Sequence, residues 1–578
     1  MNKTTACPLD CYDACAIRYE DGKITPIAEG FTQGFLCAHM NRFEEHERIL
    51  QPRYKGETID MQKALEVLRE ILAHTPKNEI LHYRGNGNFA LMQEVSDHFF
   101  ASFGATLCEG SLCDGAGRAG IQEGRGSNRL HMPLEEIAKA ETVVLWGRNP
   151  HATSSHLLPL LEGKKLIVID PIKTKAAKKA DLHIQIKPHG DLHLAMLLSR
   201  FLYIENGCDT EFLNKYAPDY EEFYELTQTI RIKATLEQID VSLGQIGSFL
   251  ELVRSKKTSI VCGVGIQKYK DGADIMRSID AFAAMLGLFG KEGCGVAYLA
   301  DSKEGISSPF YTKSAKVSKV NTEFAKFKTL FIQGANPLAQ MPDSKRVIES
   351  MQRVENVIYF GLYENETSQR ADLVIPAKTF LGKNDIRASY ACDVLHPMPK
   401  QREEEEGISE YELSAYLCQA FGIEIKSEAE YLEHFKNHGV QRLDGLWHVE
   451  KKMMGEFCGF DTDEGTFVFL DEIESDFDME EKLFLLTPKS PKSLNSMFRR
   501  EAYAYLNAKL GLKEGEEVLI SSQNGSVKLR VKLDDDVRED CVLIYSGTCG
   551  VNNLTSSKHA YGGKFAIYQE NKVEVQKI

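Results

Sequence analysis

Two stretches decide the architecture: TVVLWGRNPH at residues 142–151 and TLFIQGANPL at residues 329–338. Each is an apolar, β-branched run that reads as a buried strand and stops at Gly-x-Asn-Pro. The likeness continues outward. After the first stretch come a predicted helix, KLIVIDP (165–171), Thr174 and ADLHIQI (180–186). After the second come a predicted helix, NVIYFGLY (356–363), Glu366-Thr367 and ADLVIPA (371–377). Asn149 and Asp181 are 32 residues apart, and Asn336 and Asp372 are 36 apart. Strands alternating with helices predict an α/β fold with two doubly wound parallel sheets, related here by an internal pseudo-repeat. Ligands of such sheets lie beyond the carboxyl ends of the strands. Gly147-x-Asn149-Pro150 and Gly334-x-Asn336-Pro337 fall at that edge, where glycine lets backbone approach a ligand and a helix N-terminus favours phosphate. A single copy could equally be a plain strand-to-helix turn. Two copies inside a longer matched pattern predict two nucleotide-like ligands, or one ligand per half. Neither copy is the standard dinucleotide fingerprint, because Gly-x-Gly-x-x-Gly is missing.

The N-terminus carries a different signal. Cys7, Cys11 and Cys15 are evenly spaced, and Cys37 follows after 21 intervening residues. A tight loop can supply three thiolates to a cubane cluster, and a later return of the chain supplies the fourth. Between them, AIRYE and KITPI joined at Asp21-Gly22 predict a hairpin that brings the chain back. Gly34 suits a close approach before Cys37. A four-cysteine zinc site is the competing reading, although such sites pair two Cys-x2-Cys knuckles. Cys108 and Cys113 form a second pair, and the other eight of the 14 cysteines read as small buried hydrophobes.

With 578 residues the chain is too long for one core, so three or four units are expected. Net charge is −15 and pI about 5.6. That argues against nucleic-acid binding, which needs a basic surface. No apolar run reaches the ~18 residues of a membrane span, and no leader or twin-arginine pair precedes Cys7. The expected location is the cytoplasm, where thiols stay reduced or bind metal.

Taken together, the cysteines, the paired halves and the C-terminal segment resemble the molybdopterin oxidoreductases that carry bis-molybdopterin guanine dinucleotide. That superfamily includes formate dehydrogenases, nitrate reductases, polysulfide reductases and dimethyl sulfoxide reductases, and the resemblance covers almost the whole chain. It implies a 4Fe–4S cluster on Cys7, Cys11, Cys15 and Cys37. Two residues after the fourth cysteine the family usually has Lys or Arg between cluster and pterin; here it is His39. GSLCDGAGRAG (110–120) is similar to the loop that supplies the family's metal ligand, which assigns Cys113 to molybdenum or tungsten. Formate dehydrogenases follow that ligand with His; Asp114 stands here and counts against formate oxidation, while offering a proton acceptor or donor.

The resemblance also implies that Gly147, Asn149, Pro150, Asp170, Pro171, Thr174 and Asp191 hold the first dinucleotide. A carboxylate there takes the adjacent donors of the guanine edge. Gly263, Gly265, Gln267, Gly334 and Asn336 are assigned to the second, whose guanine is less well provided for because Gly361 replaces an Asp. LFLLTPKSPKSLNSMF (483–498) and GVNNLT (550–555) resemble a cofactor-capping module and assign pterin contacts to Thr487, Asn495, Ser496, Asn552 and Lys564.

The expected layout is a 4Fe–4S domain at 1–48, a discontinuous α/β domain at 49–130 and 325–475, an α/β domain at 131–324, and a β-barrel-like cap at 480–578. QREEEEG (401–407) and DDD (534–536) read as solvated loops. The function implied is a molybdopterin-dependent oxidoreductase, with a two-electron reaction at the metal and single electrons passing through the cluster to a ferredoxin, flavoprotein or iron–sulfur subunit. The substrate is a sulfur compound, an S- or N-oxide, or formate. The alternatives are a non-redox member resembling acetylene hydratase, and a metal-free structural subunit of a larger electron-transfer complex.

Overall fold

The computed structural model describes residues 4–28, 32–86, 90–299, 301–403, 405–442, 447–451, 457–473, 482–560 and 564–578. In it the two quoted stretches become interior strands of two sheets. Thr142–Trp146 lies between Lys165–Ile169 and Thr258–Cys262 in a five-stranded parallel sheet. Thr329–Gln333 lies between Asn356–Gly361 and Ile80–Arg84 in an eight-stranded sheet, and is parallel to both. Every residue of both central strands is buried, as expected of parallel strands covered on both faces.

The repeat holds at the level of single hydrogen bonds. The Gly147 N–H donates to the Ile169 carbonyl, and the Gly334 N–H donates to the Phe360 carbonyl, each at 2.8 Å. The repeated Ala-Asp is a structural clamp. Asp181 accepts from the Leu166 N–H at 2.9 Å, and Asp372 accepts from the Val357 N–H at 2.8 Å. A further strand also belongs to the repeat, although its two copies stand at different places in the chain order. Gly263, after Thr258–Cys262, donates to the Trp146 carbonyl, and Gly85, after Ile80–Arg84, donates to the Gln333 carbonyl. A Cβ would lie 1.8 Å from the Gly147 oxygen at Gly263, and 2.5 Å from the Gly334 oxygen at Gly85. Glycine is therefore required at both.

Several expectations need correction. No α-helix follows the first Gly-x-Asn-Pro. Two 3-10 turns, Ser155–Leu157 and Pro159–Leu161, fill the connection, because Ser154 takes φ +60° and Pro159 cannot continue a helical ladder. The second copy does open helices, Pro337–Gln340 and Ser344–Met351. Two domain edges also shift. Lys316–Ser318 pairs with Thr106–Glu109 in the eight-stranded sheet, ahead of the expected edge at 325. Helix Gly115–Arg125 instead packs on helix Gly272–Met285 of the five-stranded unit, closely enough that a Cβ at Gly120 would lie 2.0 Å from the Ala273 oxygen. Phe460, Phe467 and Phe469 join that same core. The expected edge at 475–480 lies outside the described residues, as does Glu404. Glu405 is no solvated loop residue: its carboxylate is buried, bonded to Arg48 at 2.7 Å and to the Thr379 N–H at 2.6 Å. Cys458 and Cys549 are exposed rather than buried.

At the N-terminus, Thr4–Ala6, Ala16–Glu20 and Lys23–Pro26 form an antiparallel sheet. Asp21 and Gly22 both take positive φ, as a two-residue hairpin requires. Ala6, Leu9 and Ile17 pack against Phe380, Leu381 and Met398. At the C-terminus, six strands from Leu483–Leu486 to Lys572–Lys577 close a barrel. Among the described residues no helix is long and apolar enough to cross a membrane.

Candidate cofactor site

The carboxyl ends of both sheets, the N-terminal loop and the face of the barrel unit enclose one cavity of about 1110 Å³. Cys7, Cys11 and Cys37 lie on its wall at one end, and Cys113 lies on it too. Cys15 is behind the wall. The four N-terminal thiols are close enough for charge on one to oppose charge on another, and burial pushes Cys7 up to about 12. Backbone N–H groups of Leu9, Asp13, Met40 and His39 point at the sulfurs of Cys7, Cys11 and Cys37 and favour thiolate. Cys15 instead lies beside a histidine. His156 donates from Nδ1 to Asp13 at 2.7 Å, and that nitrogen is 3.6 Å from Cys15 Sγ. Asp13, Cys15 and His156 each put one ligating atom within 4.8 Å of the others. His39, also on the wall, stacks on Phe498 with ring centroids 5.3 Å apart.

The Cys113 loop is held from several sides. Gly110 takes φ +88° with no room for a Cβ against the Lys564 oxygen, and the Ser111 N–H donates to that oxygen at 2.9 Å. Gln267 donates to the Cys113 carbonyl at 2.8 Å and accepts from the Gly117 N–H at 2.9 Å. Lys268 donates to the Leu112 carbonyl at 3.0 Å, and burial lowers its ammonium to about 8. Burial and the neighbouring Asp114 push the Cys113 thiol up to about 12. Asp114 accepts from Ser111 Oγ at 3.1 Å and begins helix Gly115–Arg125. Gln267 and Lys564 thus hold the loop rather than face the cavity; the Lys564 ammonium is exposed and lies 3.4 Å from Glu109.

In the first half, Gly147, Asn149, Asp170, Thr174 and Asp191 line the cavity and Pro150 packs behind it. Asp191 accepts from Trp146 Nε1 at 2.7 Å, and burial raises its carboxyl to about 6. Asp170 accepts from the Ile172 N–H at 2.9 Å, and burial raises it to about 7. In the second half Gly334, Asn336 and Gly361 line the cavity, whereas Gly265, expected with Gly263 and Gln267 at the second dinucleotide, follows strand Thr258–Cys262 of the first-half sheet and has open space over it. Asn336 donates to Glu366 at 2.8 Å and accepts from Thr367 at 2.8 Å. From the barrel unit, Thr487, Asn495, Ser496 and Asn552 reach the wall. The Asn552 amide donates to the Ala339 carbonyl at 2.8 Å and ties the barrel to the second half.

Sequence reading missed several wall residues. Arg148, the variable residue of the first Gly-x-Asn-Pro, is buried with its guanidinium 4.9 Å from the Tyr12 ring centroid, and its Nε has no hydrogen-bond partner. Its place in the motif was the available signal. Lys268, next to Gln267, had the same kind of signal. Asp10 lay inside the Cys7-x3-Cys11 spacing, and Arg387 had no such signal.

These features fit the implied groups. Converging thiols with N–H donors suit an iron–sulfur cluster. An unpartnered buried guanidinium nitrogen suits a phosphate, and buried carboxyls at strand ends suit guanine. The comparisons with known proteins agree on the class. Residues 63–396 match the model described as molybdopterin oxidoreductase, and residues 483–564 match that of the molydopterin dinucleotide binding domain. The chain belongs to the molybdopterin oxidoreductase family. It is 25% identical to the probable oxidoreductase YyaE of Bacillus subtilis, over 97% of each chain. It is 23% identical to the alpha subunit of F420-dependent formate dehydrogenase 2 of Methanococcus maripaludis, over 99% of each. Among solved structures, acetylene hydratase from Pelobacter acetylenicus shares the fold, with a TM-score of 0.77 and 16% identity over the full length of both.

Proposed function

We propose that this chain catalyses a two-electron reaction at a molybdenum or tungsten bis-pterin centre bound by Cys113, and that a 4Fe–4S cluster on Cys7, Cys11, Cys15 and Cys37 relays single electrons. The observation that carries this reading is the one continuous cavity, which meets cluster cysteines, Cys113 and the strand ends of both halves. When bound, the centre supplies the redox chemistry, and the protein's part is to bind and orient. Asp170 and Asp191 accept from the guanine of one dinucleotide, and Arg148 meets a phosphate. Asn336 and the Glu366 behind it shape the place of the other dinucleotide. Gln267 and Lys268 hold the Cys113 loop by its carbonyls. Asp114, beside Cys113, gives or takes the proton that accompanies electron transfer.

The substrate is a small molecule, drawn from sulfur compounds, S- or N-oxides, and formate. The electron partner is a ferredoxin, a flavoprotein or an iron–sulfur subunit. The test is an anaerobic assay of purified protein with polysulfide, an N-oxide and formate, read by the visible absorption of the cluster. Substrate-dependent electron exchange that disappears in Cys113→Ala supports the proposal. Exchange that survives in Cys113→Ala overturns the ligand assignment, and no exchange with any member of the panel favours a non-redox member if the metal is present and a structural subunit if it is absent.

A further inference from the structure

The family's cation after the fourth cluster cysteine is missing, and His39 in its place is stacked on Phe498, whose ring also meets His46 at 4.2 Å between centroids. Elsewhere in the chain a guanidinium reaches the same region. Arg387 stands on strand Asp385–Ala388, with a side chain that is wholly buried. Its Nε donates to the Cys7 carbonyl at 3.3 Å. Its Nη2 donates to the Leu9 carbonyl at 3.4 Å and to the Cys11 carbonyl at 2.9 Å. Nη1 turns back to the Ala388 carbonyl at 2.8 Å. The same side chain reaches the cavity wall, where Asp10 and Tyr390 feel its charge.

We propose that Arg387 is the positioning cation that joins the cluster loop to the metal side of the cavity, and that it holds the cluster's reduction potential up. The proposal rests on the reading of Cys7, Cys11, Cys15 and Cys37 as cluster ligands. Arginine keeps its charge when buried, and a buried charge is costly unless opposite charge compensates it. The carbonyls of the cluster loop compensate in part, and Asp10 and thiolates at Cys7 and Cys11 add opposite charge. A thiolate-bound cluster gains one negative charge when it takes an electron, so a fixed cation beside it favours the reduced state. Arg387 lies about 350 residues from Cys37 in the sequence, and only the folded chain brings it to the loop.

The test is an anaerobic redox titration of the holoenzyme, read by electron paramagnetic resonance, with iron measured in each sample. Arg387→Met is expected to keep its iron and to shift the one-electron equilibrium at least tenfold toward the oxidised cluster, a fall of about 59 mV. Arg387→Lys, which keeps the charge, is expected to shift it less, as is His39→Ala. An unchanged potential in iron-replete Arg387→Met overturns the proposal. If Arg387→Met loads no cluster, Arg387→Lys decides. Full iron and a potential within that tenfold limit support a charge role, and a larger fall or an empty site contradicts it. Wild-type protein without a four-iron cluster overturns the reading of the cysteines, and this inference with it.

Discussion

At the end of the first-half strand, Asn149 accepts one bond from its own turn, the His151 N–H at 3.2 Å, and carboxyls for a ligand stand apart from it at Asp170 and Asp191. At the end of the second-half strand, Asn336 is tied to Glu366 and Thr367, and Glu366 is tied in turn to Arg500 at 2.7 Å. The hydrogen bonds of the strand-end glycines are the same in both halves. The repeat therefore preserves what the sheet needs and lets ligand recognition diverge. One half has buried carboxyls at its strand ends, which the proposed function assigns to a guanine. The other holds its carboxylate in an ion pair with Arg500, between the barrel strands Leu483–Leu486 and Tyr503–Leu506.

The largest effects should come from the shared backbone. Gly263→Ala forces a Cβ onto the Gly147 oxygen and should cost about 4 kcal/mol or more. Gly85→Ala, with more room, should cost about 2–3 kcal/mol. Gly265→Ala, with nothing within 4 Å of its Cβ, should stay within about 0.5 kcal/mol. Thermal or urea unfolding ranks the three, and a Gly85 variant less stable than the Gly263 variant would break the argument from distance.

Next come the side chains that differ between halves. Asp191→Asn should weaken binding of the first dinucleotide by about 1.5–3 kcal/mol, seen as less guanine nucleotide released per chain on acid hydrolysis. Glu366→Gln should change nucleotide content less and loosen the barrel contact more. Equal nucleotide loss in both variants would mean that the halves recognise guanine alike.

The raised carboxyls make a pH prediction. Folded values of about 7 for Asp170 and about 6 for Asp191 lie above the unfolded ~3.9, so the native chain binds more protons than the unfolded chain between about pH 4 and 7. Cofactor-free protein should lose stability from these groups as pH rises through that window. Asp170→Asn should flatten the slope, and a slope identical to wild type would contradict the burial argument. The clamps should have a small effect. Asp181→Ala and Asp372→Ala should each cost about 1 kcal/mol, and nearly equally, because the surface Lys165 that pairs with Asp181 adds little.

The sheets were legible because buried parallel strands need continuous apolar runs, and Gly-x-Asn-Pro marked their ends. The N-terminal hairpin was legible through Asp21-Gly22. The extra pair of repeat strands was hidden, because Ile80–Arg84 precedes its half while Thr258–Cys262 follows the other. The false helix after Asn149 came from carrying the second half's pattern onto a segment broken by Pro159. At the site, the fixed residues of the motifs were found, while variable ones such as Arg148 and Asp10 were not. Those that act from a distant strand, Arg387 foremost, carry no local pattern. Lys564 was assigned a pterin contact, but its carbonyl holds the Cys113 loop, which no side-chain signature reveals.

The most direct test of the central claim is metal-edge X-ray absorption of anaerobically purified protein beside Cys113→Ala. The account predicts molybdenum or tungsten in the wild type, about four irons per chain, and one sulfur neighbour fewer around the metal in the variant. An identical metal-edge spectrum in both, or zinc with neither molybdenum nor tungsten, would contradict it.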